Sequence, residues 1–256
     1  MRSECKPLDD APSEVQPLRR LYVFTIQKRD DGANNEDQWC ESPDGMICAV
    51  SDGASVSFDS GLWAAILVQR FTRDPNVSRE WIQAAIAEYS AAHDREAMPW
   101  MQQAAFDRGS FATLLGVWFL PDRQGVQVFS IGDTILAFID GEQVVRTIPY
   151  VQPDEFDQSP QLLSTNPVEN RSLDDEAISR AWQELNIASH DAPTLLLMTD
   201  ALGRWLLDQP DSQRVSALLD VRDEQAFRDF VDRERAEGRL RRDDTTLVVI
   251  GVGGIL

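Results

Sequence analysis

Four acidic features of this chain stand where apolar runs begin or end. Glu36-Asp37 precedes one run, Asp52 ends Met46-Ile47-Cys48-Ala49-Val50-Ser51, Asp200 ends Thr194-Leu195-Leu196-Leu197-Met198-Thr199, and Asp243-Asp244 opens the last. Short apolar, β-branched runs read as buried strands, so each carboxylate is delivered to a loop at a strand end. Gly53, directly after Asp52, lets the chain turn sharply and lets a ligand come close to the main chain. Oxygen ligands without His or Cys suit hard cations such as Mg²⁺ or Mn²⁺. Two such ions about 3.5–4 Å apart can bind a phosphoryl group and lower the pKa of a bridging water, which then attacks phosphorus without a protein nucleophile. Taken alone, Asp52-Gly53 reads first as a strand capped by a solvated turn. Gly132-Asp133 reads equally as a hairpin turn or a metal position, and Arg239, Arg241 and Arg242 as a solvated charge run or an anion-attracting rim.

The composition narrows the alternatives. The 256 residues are 43% hydrophobic, enough for a substantial core, and carry a formal net charge of -19. Such a chain repels nucleic-acid phosphates and anionic membrane surfaces on average. Cys5, Cys40 and Cys48 have no Cys-x-x-Cys spacing, and His93 and His190 are the only imidazoles, which disfavours a zinc site and poorly supplies a Ser-His-Asp or Cys-His enzyme. Ser110 has no matched base and reads as a strand residue. No apolar stretch approaches membrane-spanning length and the N-terminus lacks a signal-like apolar region, so the expectation is a soluble, reduced, cytoplasmic protein.

The elements that must position the carboxylates follow from periodicity. Residues 1–19 read as a loose leader and 20–256 as one folded domain. Strands are expected at 21–26, 46–51, 111–120, 126–131, 134–139, 143–148, 194–199 and 246–252, those between 111 and 148 forming an antiparallel meander. Residues 27–39 read as a loop, or a loop entering the next strand. Helical spacing places Trp63, Ile66, Leu67 and Phe71 on one helix behind Asp59 or Ser60, and Trp81, Ala85 and Tyr89 on a second behind Asn76 or Ser78. Residues 98–108 are ambiguous. Residues 149–174 form a long connection, a flap or surface excursion. A short helix is expected from Asp174-Asp175 through Trp182, and others over 201–207, 211–219 and 224–237.

The order of these motifs resembles the metal-dependent protein phosphatases of the 2C type over about residues 21–252. Asn35-Glu36-Asp37 is similar to that family's N-E-D motif and Ser51-Asp52-Gly53-Ala54 to its D-G motif. Gly109-Ser110-Phe111-Ala112-Thr113 is similar to G-S-T-A, Ile131-Gly132-Asp133-Thr134 to G-D-S, Thr199-Asp200-Ala201 to S-D-G, and Asp243-Asp244-Thr245-Thr246 to D-N-x-T. The resemblance implies an α+β fold, a four-layer αββα sandwich of two antiparallel sheets flanked by helices. It also implies a binuclear Mn²⁺ or Mg²⁺ centre: Asp52 bridging both ions, the Gly53 carbonyl on one, Asp200 and Asp243 on the other, and Asp37 with Glu36 holding water ligands. Asp37 and Asp52 are then the catalytic pair, and Asp133 is the candidate for a third ion. Lys28 and Arg29, just upstream of the N-E-D motif, are the candidates to bind substrate phosphate.

The resemblance further implies hydrolysis of phosphoserine and phosphothreonine by a water activated between two metals. The partners are a phosphorylated protein and a cognate serine/threonine kinase, the chain acting as a monomer. Two departures stand out. Ala201 replaces the usual glycine, and Arg204 stands where the family often has a further Asp for a third metal. They motivate a second reading, a weakly active or inactive phosphatase-like binding or regulatory domain. A metal-dependent phosphohydrolase acting on a small molecule is a third.

Overall fold

The computed structural model describes residues 20–28, 34–121 and 125–252. The expected leader, residues 1–19, and Arg29 lie outside them. In chain order the strands are β1 (Arg20–Ile26), β2 (Gln38–Glu41), β3 (Ile47–Ser51), β4 (Phe111–Ala112), β5 (Leu114–Phe119), β6 (Gly125–Ile131), β7 (Ile135–Asp140), β8 (Gln143–Ile148), β9 (Leu163–Ser164), β10 (Trp182–Asn186), β11 (Pro193–Met198) and β12 (Thr245–Gly251). The helices are α1 (Ser60–Arg73), α2 (Arg79–Ala91), α3 (Trp100–Arg108), α4 (Asp175–Arg180), α5 (Asp200–Asp208), α6 (Ser212–Leu219) and α7 (Glu224–Ala236).

Two five-stranded antiparallel sheets result, in the orders β1-β12-β11-β7-β8 and β10-β6-β5-β3-β2. Alternation along each strand divides the apolar residues between two faces. In β11, Leu195 and Leu197 enter the layer between the sheets, where they join Val248 and Ile250 of β12 and Val50, Val117 and Val128 of the opposite sheet. Leu196 and Met198 point the other way, into a layer shared with Leu202 and Leu206 of α5, Val215 of α6 and Phe227 of α7. On the far side of the second sheet, Ala49, Leu114 and Phe129 meet Trp63, Leu67 and Phe71 of α1 and Trp81 and Ala85 of α2. Three apolar layers between four structural ones make the αββα sandwich that the sequence resemblance implied.

Several local expectations need correction. The helix expected through Trp182 ends at Arg180, and Trp182–Asn186 instead form an edge strand on β6. The Trp182 ring lies against Phe71 and Phe129, a tertiary contact that outweighs the helical pattern before it. The meander from 111 to 148 is two hairpins in different sheets: β5 and β6 pair in one, β7 and β8 in the other. The chain changes sheets at Gly132, whose φ of 104° is open to glycine and costly for other residues. Thr113 interrupts the 111–120 run, and residues 100–108 are helical. Ser78, not Asn76, caps α2 by accepting a bond from Trp81 N, while Asp59 precedes α1 in a left-handed conformation without a side-chain cap bond.

β3 and β11 end, and β2, β7 and β12 begin, at the same end of the sandwich: the pairs Gln38↔Ser51, Met198↔Ile135 and Met198↔Leu247 fix this within each sheet, and the bond from Thr246 to Asp37 joins the two. Helix α1 rests directly on this sheet because Gly116 leaves room for Phe71. A Cβ there would fall 2.2 Å from the Phe71 ring. Gly116→Ala is expected to lower unfolding stability by about 1–3 kcal/mol, the usual range for overpacking a core, read as a shift in denaturant midpoint at unchanged slope.

Candidate active site

Asp52 leaves the end of β3 already fixed. Its N–H donates to Thr113 Oγ1 at 2.8 Å, Thr113 N donates to its carbonyl at 2.9 Å, and Ser51 Oγ donates to Thr113 O at 2.5 Å. Thr113 Oγ1 in turn shares a 2.6 Å bond with Thr134 Oγ1, which joins this strand end to the start of β7 in the other sheet. Gly53 then passes so close to the start of α1 that a Cβ would lie 2.8 Å from the Ser60 backbone. The glycine is a steric requirement of this approach.

Asp37 is 5% exposed, the most enclosed of the predicted carboxylates. Its Oδ2 accepts from Thr246 Oγ1 at 2.7 Å and from Thr199 Oγ1 at 3.1 Å, so β12 and β11 together orient it. Its Oδ1 is buried with no hydrogen-bond partner. A buried polar atom without a partner is costly, and a carboxylate oxygen in that state is a ready acceptor for an incoming water or cation.

Asp52, Gly53, Thr113, Asp133, Asp200 and Asp243 line one cavity of about 160 Å³. Burial, reinforced by the charges of Asp37, Asp200, Asp133 and Asp243, pushes the Asp52 carboxyl well above its ordinary range. Burial likewise raises Asp37 to about 8, partly offset by the Thr246 and Thr199 hydroxyls, and raises Asp200 to about 7 with the help of Asp133 and Asp243. Asp133 is also raised by burial. Asp200 starts α5, where the helix N-terminus favours negative charge. Among the described residues, no group of three or more His, Cys, Asp or Glu side chains could hold a metal ion as it stands. The donors nonetheless fit hard cations in kind: all are oxygen, they repel one another, and Asp37 Oδ1 lacks a partner. Ions such as Mg²⁺ complete their coordination with water, so protein oxygens need not supply every ligand.

Glu36 faces a second, larger cavity of about 700 Å³, together with Lys28, Ser60 and Asp59. Ser55 lines both cavities. Burial opposes the charge of Glu36, yet hydrogen bonds from Lys28, Ser55 and Ser60 hold its carboxyl below the usual range. Lys28 Nζ bonds Glu36 Oε2 and Ser55 Oγ and stands 3.9 Å from Asp244 Oδ2. Asp244 accepts from Lys28 N at 2.6 Å and Glu36 N at 2.8 Å, clamping the chain on both sides of residues 29–34. His93 bonds Asp59 and His190 bonds Asp140, and neither lines the Asp52 cavity.

The structure therefore gathers Asp52, Gly53, Asp133, Asp200 and Asp243 in one cavity, sets Asp37 behind it, and puts Glu36 and Lys28 in the adjoining one. Sequence reasoning missed Thr113, Thr199, Thr246 and Asp244 as supports. Thr199 and Thr246 adjoin motif aspartates, the signal that could have found them.

The raised carboxyls set the sign of a pH effect. The folded state keeps protons that the unfolded chain releases near pH 4, so stability falls as pH rises toward 8. Metal-free protein should lose about 1.4 kcal/mol per pH unit between pH 5 and 7 for each proton so retained. Saturating Mn²⁺ should flatten that slope, as followed by denaturant melts. Thr246→Val should weaken Mn²⁺ affinity by about 10- to 100-fold, the usual effect of removing an outer-shell partner, as read by calorimetry.

Solved structures with this fold include the catalytic domain of the serine/threonine phosphatase PstP in complex with two manganese ions, with a TM-score of 0.61 at 14% identity over 92% of this chain and 99% of that one. The serine/threonine phosphatase Stp1 from Staphylococcus aureus has a TM-score of 0.58 at 13% identity over 99% of this chain and 100% of that one. The photosystem II phosphatase PBCP has a TM-score of 0.57 at 16% identity over 93% and 100%. These likenesses are of fold alone. No individual curated protein sequence matches significantly. The sequence model for protein phosphatase 2C matches residues 27–241, from beside Lys28 to just before Asp243. With most of its length under that match, the chain belongs to the protein phosphatase 2C family.

Proposed function

We propose that this protein is a metal-dependent serine/threonine protein phosphatase. The single observation that carries the proposal is the convergence of Asp52, Asp133, Asp200 and Asp243 on one cavity with Asp37 behind it. Asp52, the Gly53 carbonyl, Asp200 and Asp243 would hold two Mn²⁺ or Mg²⁺ ions, with Glu36 and Asp37 reaching them through water. Bound there, the ions would neutralise phosphoryl charge and make a water acidic enough to attack at neutral pH. Asp37, whose Oδ1 is buried and unpartnered, would hold and orient such a water. Thr199 and Thr246 hold the other oxygen, so the carboxylate cannot rotate away. Thr113 fixes Asp52 from the opposite sheet. The substrates on this reading are phosphoserine and phosphothreonine proteins made by a serine/threonine kinase, met by a monomeric cytoplasmic enzyme. Among the described residues no helix is long and apolar enough to cross a membrane.

A second reading is a phosphatase-like binding or regulatory module. It is favoured by the lack, among the described residues, of a ready-made ligand group and by Arg204, which pairs with Asp157. Calorimetry with Mn²⁺ is the first step in separating the two: no binding even at millimolar metal favours the module, and two bound ions with no turnover on several phosphopeptides leave it standing.

The enzyme should hydrolyse a phosphoserine or phosphothreonine peptide only with Mn²⁺ or Mg²⁺ and stop on chelation. Asp52→Asn should cut turnover by about a hundredfold or more, beyond the effect of losing an outer-shell partner, while the fold persists by circular dichroism. Hydrolysis indifferent to both chelation and Asp52→Asn would sink the proposal.

A further inference from the structure

The three arginines before Asp243 have separate fates in the fold. Arg239 bonds the buried Glu234 through two nitrogens, at 2.7 and 2.8 Å, and also reaches Glu237. The Arg239 guanidinium, with Trp205 and Arg233, holds the Glu234 carboxyl down at about 2 despite its burial. Arg239 N and Leu240 N both donate to Glu234 O, and Leu240 is buried. On the other side, Asp243 N donates to Arg241 O, and Arg235 donates to Asp243 O and Gln27 O. The backbone around residue 241 is thus pinned from both sides.

The Arg241 side chain is held differently. It is 62% exposed and reaches inward to Asp200 Oδ2, with Nη1 at 3.5 Å, while the Asp200 side chain is only 15% exposed. Its charge acts on Asp133 as well as Asp200. An ion pair this exposed is weak, so the guanidinium leaves Asp200 at little cost. Two other cations among the described residues are engaged. Lys28 is tied to Glu36 and Ser55, and Arg204 makes a two-pronged bond to Asp157.

Two divalent ions bound in the cavity would attract the phosphate from within, and a cation at the mouth would meet the phosphoryl oxygens that face outward. Arginine suits that task, because its planar fork donates two parallel N–H bonds to phosphoryl oxygens. We propose that Arg241 is a substrate-binding residue of this site: it exchanges Asp200 for the phosphoryl oxygens of the phosphoserine or phosphothreonine substrate. The inference rests on the phosphatase reading for its substrate class, but its geometry is independent of turnover. It places a substrate anion contact at the turn before β12, apart from Lys28 upstream of the N-E-D motif; Arg29, the other upstream candidate, lies outside the described residues.

The test is steady-state kinetics on a phosphopeptide with Mn²⁺, with orthophosphate as product inhibitor, for the wild type, Arg241→Ala, Arg241→Lys and the neighbouring control Arg242→Ala. Arg241→Ala should raise KM and the orthophosphate inhibition constant together by about tenfold, the loss of roughly one charge-assisted contact, with kcat nearly unchanged. Arg241→Lys should recover part of that affinity and Arg242→Ala should resemble wild type. Unchanged KM and inhibition constant in Arg241→Ala would overturn the inference. So would a tenfold loss of Mn²⁺ affinity in the same variant, since Arg241 would then be a support for Asp200. If the wild type does not turn over, the phosphatase reading fails. Calorimetric titration of orthophosphate into Mn²⁺-saturated wild type and Arg241→Ala then still decides this one: weaker binding by the variant supports it, equal binding overturns it.

Discussion

Repulsion among enclosed carboxylates is the constraint on which the rest of the structure depends. Asp200 raises the proton affinity of Asp37, and Asp37 and Asp200 together raise that of Asp52. Left to themselves, such groups would swing apart into water. They are kept together because Asp37 and Asp52 are anchored from elements other than their own and Asp200 by the helix it begins. Thr246 and Thr199 hold Asp37, Thr113 holds the Asp52 backbone, and the start of α5 carries Asp200. The stability of the apolar layers opposes the repulsion. A divalent cation would remove it, which makes metal affinity and folding stability two sides of one balance.

The sandwich is suited to this because strand ends collect at its rim. In a strand buried on both faces, alternate residues are committed to two different apolar layers, as Leu195 and Leu196 are. Polar chemistry is therefore excluded from the strand body and displaced to the first residue beyond it. Elements meeting at this rim supply Asp52, Asp133, Asp200 and Asp243 to a space of about 160 Å³, keeping the charges outside the apolar layers. The cations are arranged by the same logic. Lys28 is fastened among Glu36, Ser55 and Asp244, whereas Arg241 stands in solvent on a rigid turn.

Much of this was legible in the chain because it depends on local pattern. β-Branched runs marked most strands, including β1, β3, β7, β8, β11 and β12, and apolar spacing marked α1, α2, α5, α6 and α7. What failed was local pattern overruled from a distance. Trp182–Asn186 follows a helical stretch, yet the aromatic contacts of Trp182 with Phe71 and Phe129 fix it as a strand. The hairpin signals around Gly132 were real, but alternation within a strand says nothing about which sheet receives it. The roles of Thr113 and Asp244 were equally hidden, since their partners are 61 and 208 to 216 residues away.

By itself the sequence determined which carboxylates stand at strand ends, that their chemistry is hard-oxygen chemistry, and which family their order resembles. Periodicity and residue type suffice for those, because both act within a few residues. Only the tertiary structure decided which carboxylates share a cavity, that Glu36 and Lys28 belong to the adjoining one, and that Arg241, of the three arginines before Asp243, turns toward Asp200. Those facts are set by contacts across the two sheets, such as the bond from Thr246 to Asp37 across 209 residues. No local pattern encodes them, because they exist only once the three apolar layers have closed.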